Sequence, residues 1–376
     1  MKSIYAKNLN DKFFVKNSSG KPEIVLIFPI TRDGQESKTK WQAAIDFVHD
    51  SNIENFIVID KTSQGSATKF FMEKFNLEEK KLYVLPRSIK ESHYESLGGI
   101  EVDNNCWVMQ LHDDDDWEGS VALPDNVKPS ASYYSRFFMS QKPGRFFEQF
   151  DFTTPGRINF ILVPSQIWNK FSLFIEDQNY HVAGSLDATL NQMVQLSTEL
   201  LPIRNFSYYY DNHNWANRKS SQVSLNKLAS SDGWGEWASI DIALFGRLLD
   251  NLTSLMYIQE FASQTEIKEK YLQLMKEFKS RIRHRISYKL KIFGLQIYSV
   301  LVKLLNMGAD TKSLSDRNKS TIALATFIRK SWKVKRLDDV VELIEMLENM
   351  GNLHELKPRF RTWKKNISEL EYLVGG

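Results

Sequence analysis

The chain has 376 residues, a length suited to two domains, and its 42% apolar and 12% aromatic content is too high for a disordered polymer. Its 49 basic and 46 acidic side chains leave a formal charge of +3, which gives no pointer to nucleic acid, and none is expected as a partner. The single cysteine, Cys106, excludes an intrachain disulfide and a multi-cysteine zinc site, and its setting in CWVMQL reads as a small buried hydrophobe. The N-terminal MKSIYAKNLNDKFF lacks the apolar stretch of a secretory signal, and no run approaches the ~20 apolar residues that span a bilayer. A cytoplasmic protein is expected, with the inner face of a membrane as a further place of work.

In chain order, Glu23 to Pro29 reads as a buried strand, Lys40 to His49 as an amphipathic helix, Asn55 to Ile59 as a second strand and Ala67 to Phe75 as a second helix. Lys81 to Leu85 follows as a short strand, His93 to Glu101 as a helix, and Cys106 to Leu111 as a fourth strand. Continuous apolar strands between helices predict a mostly parallel sheet covered on both faces, whose ligand site lies beyond the carboxyl ends of the strands. From about residue 120 to 235 the pattern is mixed, with a strand at Asn159 to Val163 and a helix at Ala188 to Leu200. From Trp237 onward helices dominate: Ile240 to Phe261, Glu266 to about Met307, Thr321 to Lys330, Asp338 to Met350 and Glu355 to Leu373. The predicted domains are therefore 1–237, α/β, and 238–376, all-helical.

Five places carry candidate chemistry. The run Asp113-Asp114-Asp115-Asp116 after the fourth strand is self-repelling unless solvated or paired with a cation. Strand alternation would point Asp113 and Asp115 the same way, and hard oxygen donors there suit Mg2+ or Mn2+ bridging to a diphosphate. At the tip of the second strand, Asp60 with Thr62 and Ser63 either accepts hydrogen bonds from a base or ribose, or forms an Asx turn or helix cap. After the first strand, Arg32 in Pro29-Ile30-Thr31-Arg32 meets a phosphate or is an ordinary surface arginine. In Gly184-Ser185-Leu186-Asp187, Asp187 is a favourable helix N-terminal acid, a general base, or both. His213, in the polar loop after Tyr208-Tyr209-Tyr210, is by itself an ordinary surface or packed histidine.

Taken in order, these segments resemble nucleotide-sugar glycosyltransferases of the GT-A fold, family-2 type, over roughly residues 22 to 220. The resembling features are Pro29-Ile30-Thr31-Arg32, Asp60-Lys61-Thr62-Ser63, Asp113-Asp114-Asp115-Asp116-Trp117, the helix-opening Asp187, and a last strand leading to His213. The resemblance implies a GT-A-type sheet flanked by helices and an inverting, metal-dependent transfer from a nucleotide-diphosphate sugar to a hydroxyl of a growing glycan. The setting implied is bacterial-type surface-polysaccharide assembly, with a glycan or lipid-linked glycan acceptor. It implies donor contacts from Pro29, Thr31, Arg32, Asp60, Thr62, Asp113 and Asp114. Asp113, Asp115 and His213 would hold Mn2+ or Mg2+, with Asp187 as base.

A sugar nucleotidyltransferase would need a glycine-rich loop after the first strand, and Phe28-Pro29-Ile30-Thr31-Arg32-Asp33-Gly34 is not one. A non-catalytic nucleotide-binding scaffold at a membrane is the reading from another class. Glu266 to Lys291 holds nine basic residues and three glutamates among Phe278, Ile282, Ile286 and Leu290 at helical spacing. That pattern is either a basic amphipathic helix for an anionic membrane or a core helix with solvated lysines.

Overall fold

A computed structural model describes residues 4–5, 12–17, 19–51, 53–75, 80–87, 95–113, 115–142, 145–149, 161–177, 182–183, 186–210, 223–224, 236–283, 326–327, 330–331, 333–349 and 357–375. The chain divides into two compact units. One comprises Met1–His181 with Leu186–Gln222, and the other Val182–Ser185 with Val223–Gly376.

The first unit begins with β1 (Ile4–Tyr5), β2 (Phe13–Val15) and β3 (Glu23–Ile30), followed by α1 (Gln35–Asp50) and β4 (Ile53–Asp60). Every residue of β3 is buried, as is β4 apart from Glu54, because each strand is covered on both faces. α1 buries Trp41, Ala44, Ile45 and Val48, the three-four spacing of a one-sided helix. Its last carbonyls are satisfied from outside: Lys80 Nζ donates to Val48 O at 2.6 Å and to Ser51 O at 2.7 Å. There follow α2 (Ser66–Lys74), β5 (Lys81–Pro86), β6 (Ile100–Val102) and β7 (Cys106–Gln110). The strands β8 (Asp116–Gly119), β9 (Ala131–Lys142), β10 (Arg145–Gln149) and β11 (Ile161–Pro164) come next. After them stand α3 (Ser165–Asp177), α4 (Leu186–Ser197) and β13 (Glu199–Tyr210), with β12 (Val182–Ala183), a part of the second unit, between α3 and α4 in the chain.

The main sheet runs β1-β5-β4-β3-β7-β11-β9-β13-β8, with β10 paired to β9. From β1 to β7 all neighbours are parallel, and β9 pairs β13 in parallel as well. β11 runs antiparallel to both β7 and β9, and β8 antiparallel to β13. The fold class is therefore the α/β class expected: a mostly parallel sheet flanked by helices and followed by helices. β3, β4, β5 and β7 all present their carboxyl ends at one edge, where such sheets carry ligands.

Several expected elements differ, among them the helix expected over Ile240 to Phe261, which ends at Ser254 and is followed by a 3-10 turn, Leu255–Tyr257. Instead of a helix over His93 to Glu101, the described part holds a single 3-10 turn, Glu95–Leu97, and the strand β6. Gly98 and Gly99 end the turn, Gly99 at a φ of 73°, which a continuing helix cannot use. The helix expected to reach Leu200 stops at Ser197, where Thr198 Oγ1 bonds Val194 O at 2.8 Å and Ser132 Oγ at 2.9 Å. Leu200 lies instead in β13, whose Pro202 could not sit inside a helix.

Where β8 meets β13, the backbones approach too closely for a side chain. A Cβ on Gly119, whose φ is 87°, would lie 1.9 Å from the carbonyl oxygen of Asn205. Gly119→Ala is therefore expected to destabilise the protein by more than about 1 kcal/mol, read as a lower urea midpoint. An unchanged midpoint would show that the crossing yields easily.

The second unit contains β12 with β14 (Val223–Ser224), α5 (Glu236–Ser254), α6 (Gln264–Arg283), α7 (Leu337–Glu348) and α8 (Lys357–Gly375). Ile267, Tyr271, Leu274, Met275 and Phe278 of α6 are buried, and Phe278 meets Phe245 at 5.9 Å between ring centroids. Up to Phe278, the apolar stripe considered for a membrane packs into the protein. Arg285, Ile286 and Leu290 lie outside the described residues. Among the described residues no helix is long and apolar enough to cross a membrane.

Candidate functional site

The site grows from the point where β3 outruns β7. Their pairing ends at Ile27 with Gln110, whereas β3 continues beside β4 as far as Ile30 with Asp60. Pro29, which has no N–H, stands beyond that last β7 pairing, where no bond to β7 is asked of it. Past it, the backbone N–H groups of Thr31 and Arg32 donate to one carboxylate oxygen of Asp113, Oδ2, at 3.0 and 3.2 Å. The acid of the later segment thus takes the place of a strand partner for the first βα loop.

The acidic run forms a turn. β7 ends at Gln110 and β8 begins at Asp116, so the strand alternation expected to align Asp113 with Asp115 does not operate between them. Both are buried, Asp113 to 7% and Asp115 to 1% relative exposure, and their side chains are held differently. Asp115 Oδ2 accepts the hydroxyl of Tyr208 at 2.5 Å. Lys40 Nζ donates to the Asp115 carbonyl at 3.1 Å and to the Asp116 carboxylate. Directed donors of this kind keep adjacent carboxylates in place against their mutual repulsion. Asp114 lies outside the described residues.

Asp60 ends β4 and is 3% exposed. Its Oδ1 accepts from the Thr62 amide at 2.9 Å and the Thr62 hydroxyl at 2.6 Å, and its Oδ2 from the Thr68 amide and hydroxyl at 2.7 and 2.5 Å. Thr62 Oγ1 in turn accepts from the Ser66 amide at 2.9 Å, at the start of α2. Asp60 and Thr62 therefore organise the loop into α2, the capping role that their sequence also allowed. Asp33 ties this loop to the one after β3, accepting from Ser63 N and Oγ at 3.3 Å each and from Ser66 Oγ.

Asp187 is the second residue of α4, at the helix end that favours negative charge. α4 buries Leu190, Met193 and Val194 and packs against α3. The side chain of Asp187 and the whole of His213 lie outside the described residues.

Among the described residues, no three His, Cys, Asp or Glu side chains gather into a metal-ligand set. The donor chemistry of the turn nevertheless suits a hard cation: Asp113 and Asp115 are oxygen donors two residues apart, each fixed by a directed hydrogen bond. Mg2+ is commonly held by one or two carboxylates plus substrate phosphates and water, which does not require three protein ligands.

Lys40 and Tyr208 were not singled out by the sequence. A lysine on a helix is the commonest of surface residues, and nothing local ties it to an aspartate 75 positions on. Tyr208 stands in a triple tyrosine, and only strand register decides which of the three faces the turn.

No family model matches the chain, and no curated protein matches it in sequence. Among solved structures, it is similar to the crystal structure of S. aureus TarS 1–349, with a TM-score of 0.43, 8% identity, and 94% of this chain and 92% of that chain covered. The complex of the same fragment with UDP gives a TM-score of 0.43 and 9% identity at the same coverage. A crystal structure of TarS gives 0.40 and 11%, covering 94% of this chain and 55% of that chain. Likenesses of this size assign neither a family nor an activity.

Proposed function

We propose that the chain is a metal-dependent glycosyltransferase that moves a sugar from a nucleotide-diphosphate donor to a hydroxyl of a growing or lipid-linked glycan, with inversion. The observation that carries this reading is the acidic turn. Buried carboxylates stand beyond the carboxyl ends of a parallel sheet, and Asp113 is locked onto the Thr31 and Arg32 amides of the first βα loop. That is where a diphosphate and its counter-cation would be received in a sheet of this kind.

In this reading Asp113 and Asp115, with His213, hold Mn2+ or Mg2+, which when bound would neutralise charge on the leaving diphosphate. Arg32 meets a phosphate oxygen. Asp60 and Thr62 shape the loop beside the nucleoside. Asp187 takes the acceptor proton as the hydroxyl attacks, and a single displacement inverts the anomeric carbon. Residues beyond 283 are proposed to bring the enzyme to an anionic surface, where lipid-linked acceptors reside.

UDP and UDP-GlcNAc, named with the similar crystal structures, are the first compounds to try, beside GDP and ADP. In a thermal-shift screen at about 100 Kd, a true ligand should add about 2.7 kcal/mol and raise Tm by several degrees. The expected result is a rise with a nucleoside diphosphate and Mn2+ together and little with either alone. Stabilisation by a nucleotide with no transfer of sugar to any acceptor would favour the nucleotide-binding scaffold, and no response to any nucleotide would overturn both readings.

A further inference from the structure

The acidic turn is held from two sides by side chains that lie outside it. On one side stands Tyr208 of β13, fully buried, its hydroxyl on Asp115 Oδ2 at 2.5 Å. Its ring lies nearly parallel to that of Phe137, its partner on β9, at 13° and 6.1 Å between centroids. On the other side stands Lys40 of α1, bonded to the Asp115 carbonyl and the Asp116 carboxylate. The Lys40 ammonium also sits 5.9 Å from the centroid of the Trp117 ring, and that ring packs against Phe28 and Phe47 at 6.2 Å each.

Lys40 belongs to the same βα segment whose loop supplies the Thr31 and Arg32 amides to Asp113. Residues 31–40 and 113–116 are thus joined at both ends, through Asp113 at one and Lys40 at the other. The Lys40–Asp116 ion pair is 31% and 64% exposed, so solvent screens its Coulombic part. What Lys40 supplies is geometry, through the bond to the Asp115 backbone.

We infer that Lys40 and Tyr208 are positioning residues that set the carboxylates of the acidic turn, and that Lys40 makes the turn and the first βα segment one unit. The inference rests on the function proposed above. Groups that orient metal-holding carboxylates typically matter by 10–100-fold in affinity or activity without touching the substrate.

The test compares Lys40→Met and Tyr208→Phe with wild type. Tyr209→Phe serves as control, since it removes a neighbouring β13 hydroxyl that bonds the exposed Glu118 at 2.7 Å and leaves the bond to Asp115 in place. Amide hydrogen exchange over residues 111–118 reads the brace. Titration with UDP and with UDP-GlcNAc, each with and without Mn2+, reads its consequence. Both variants should exchange faster over 111–118 and not over 53–60. Both should lose about 10–100-fold in Mn2+-dependent nucleotide affinity and little in its absence. Lys40→Arg should restore part of the loss, and Tyr208→Phe should cause no further loss of Mn2+-dependent affinity in an Asp115→Asn background. Unchanged exchange would overturn the brace. Faster exchange with unchanged affinity would overturn the positioning role. A wild type that binds none of UDP, UDP-GlcNAc, GDP and ADP with Mn2+ would overturn the proposed function, and the positioning role with it.

Discussion

Asp115→Asn is expected to lower glycosyl transfer by about 10²-fold or more, because a carboxylate that helps neutralise a diphosphate through a cation is asked for several kcal/mol. The substitution is chosen for what it leaves intact. Asparagine keeps the shape of the side chain and an oxygen that can accept the Tyr208 hydroxyl, while the charge is lost and the second oxygen becomes an NH2 donor. Asp115→Ala is a poorer experiment. It would take the acceptor from a fully buried hydroxyl, at about 1–3 kcal/mol of stability, and confuse unfolding with lost chemistry. Transfer of a labelled sugar, beside nucleotide titrations with Mn2+, separates the cases. Wild-type turnover in Asp115→Asn would reduce the acidic turn to a structural feature.

Asp187→Asn is expected to cost about 10²-fold or more in turnover while leaving nucleotide–metal affinity close to wild type. An acceptor hydroxyl is far too weak an acid to ionise at neutral pH, so its proton must pass to a placed group as the bond to the sugar forms. Asp187 opens α4, which gives its backbone a fixed position and a helix terminus that favours the ionised form. Asparagine can still cap such a terminus but cannot take the proton. The informative measurement is kcat at saturating donor beside donor affinity. Collapse of affinity with normal kcat would move Asp187 to the donor site and send the search for a base to Glu176, Asp177 and Asp211. Of these, Glu176 already pairs with Lys12 at 3.3 Å.

The parallel half of the sheet was legible because its strands are buried on both faces and therefore read as unbroken apolar runs. β3, β4, β5 and β7 fall within two residues of their expected bounds. β9 was not legible, and of β13 only the end was, as the strand leading to His213, while its start at Leu200 read as helix. Their aromatic, serine and arginine side chains serve one covered and one half-open face, and Leu200 fits the end of a helix as well as the start of a strand. The acidic turn announced its chemistry, but its anchors did not. The Thr31 amide, Lys40 and Tyr208 lie 82, 75 and 93 positions from the aspartates they hold. Asp60 shows the limit from the other side. Its local pattern suited a cap and a ligand contact equally, and only the bonds to Thr62 and Thr68 show how its oxygens are used. For the basic helix, period alone could not tell a membrane-facing stripe from the buried one that Phe278 joins.

The 93-residue span between Tyr208 and Asp115 also has a meaning in time. The strands β3, β4 and β5 lie close in sequence and can pair as soon as they exist, and β7 then joins β3 across the 83 positions from Glu23 to Cys106. β13 must wait for the rest of the unit to be made and then close a long loop onto β9 and β8, the kind of contact that forms slowly. A chain growing from its N-terminus would thus hold a nearly finished sheet core while Asp115 still lacks its phenol partner. The bond that holds Asp115 is expected to be among the last of the main sheet to form, after the strands on which the acidic turn stands have paired.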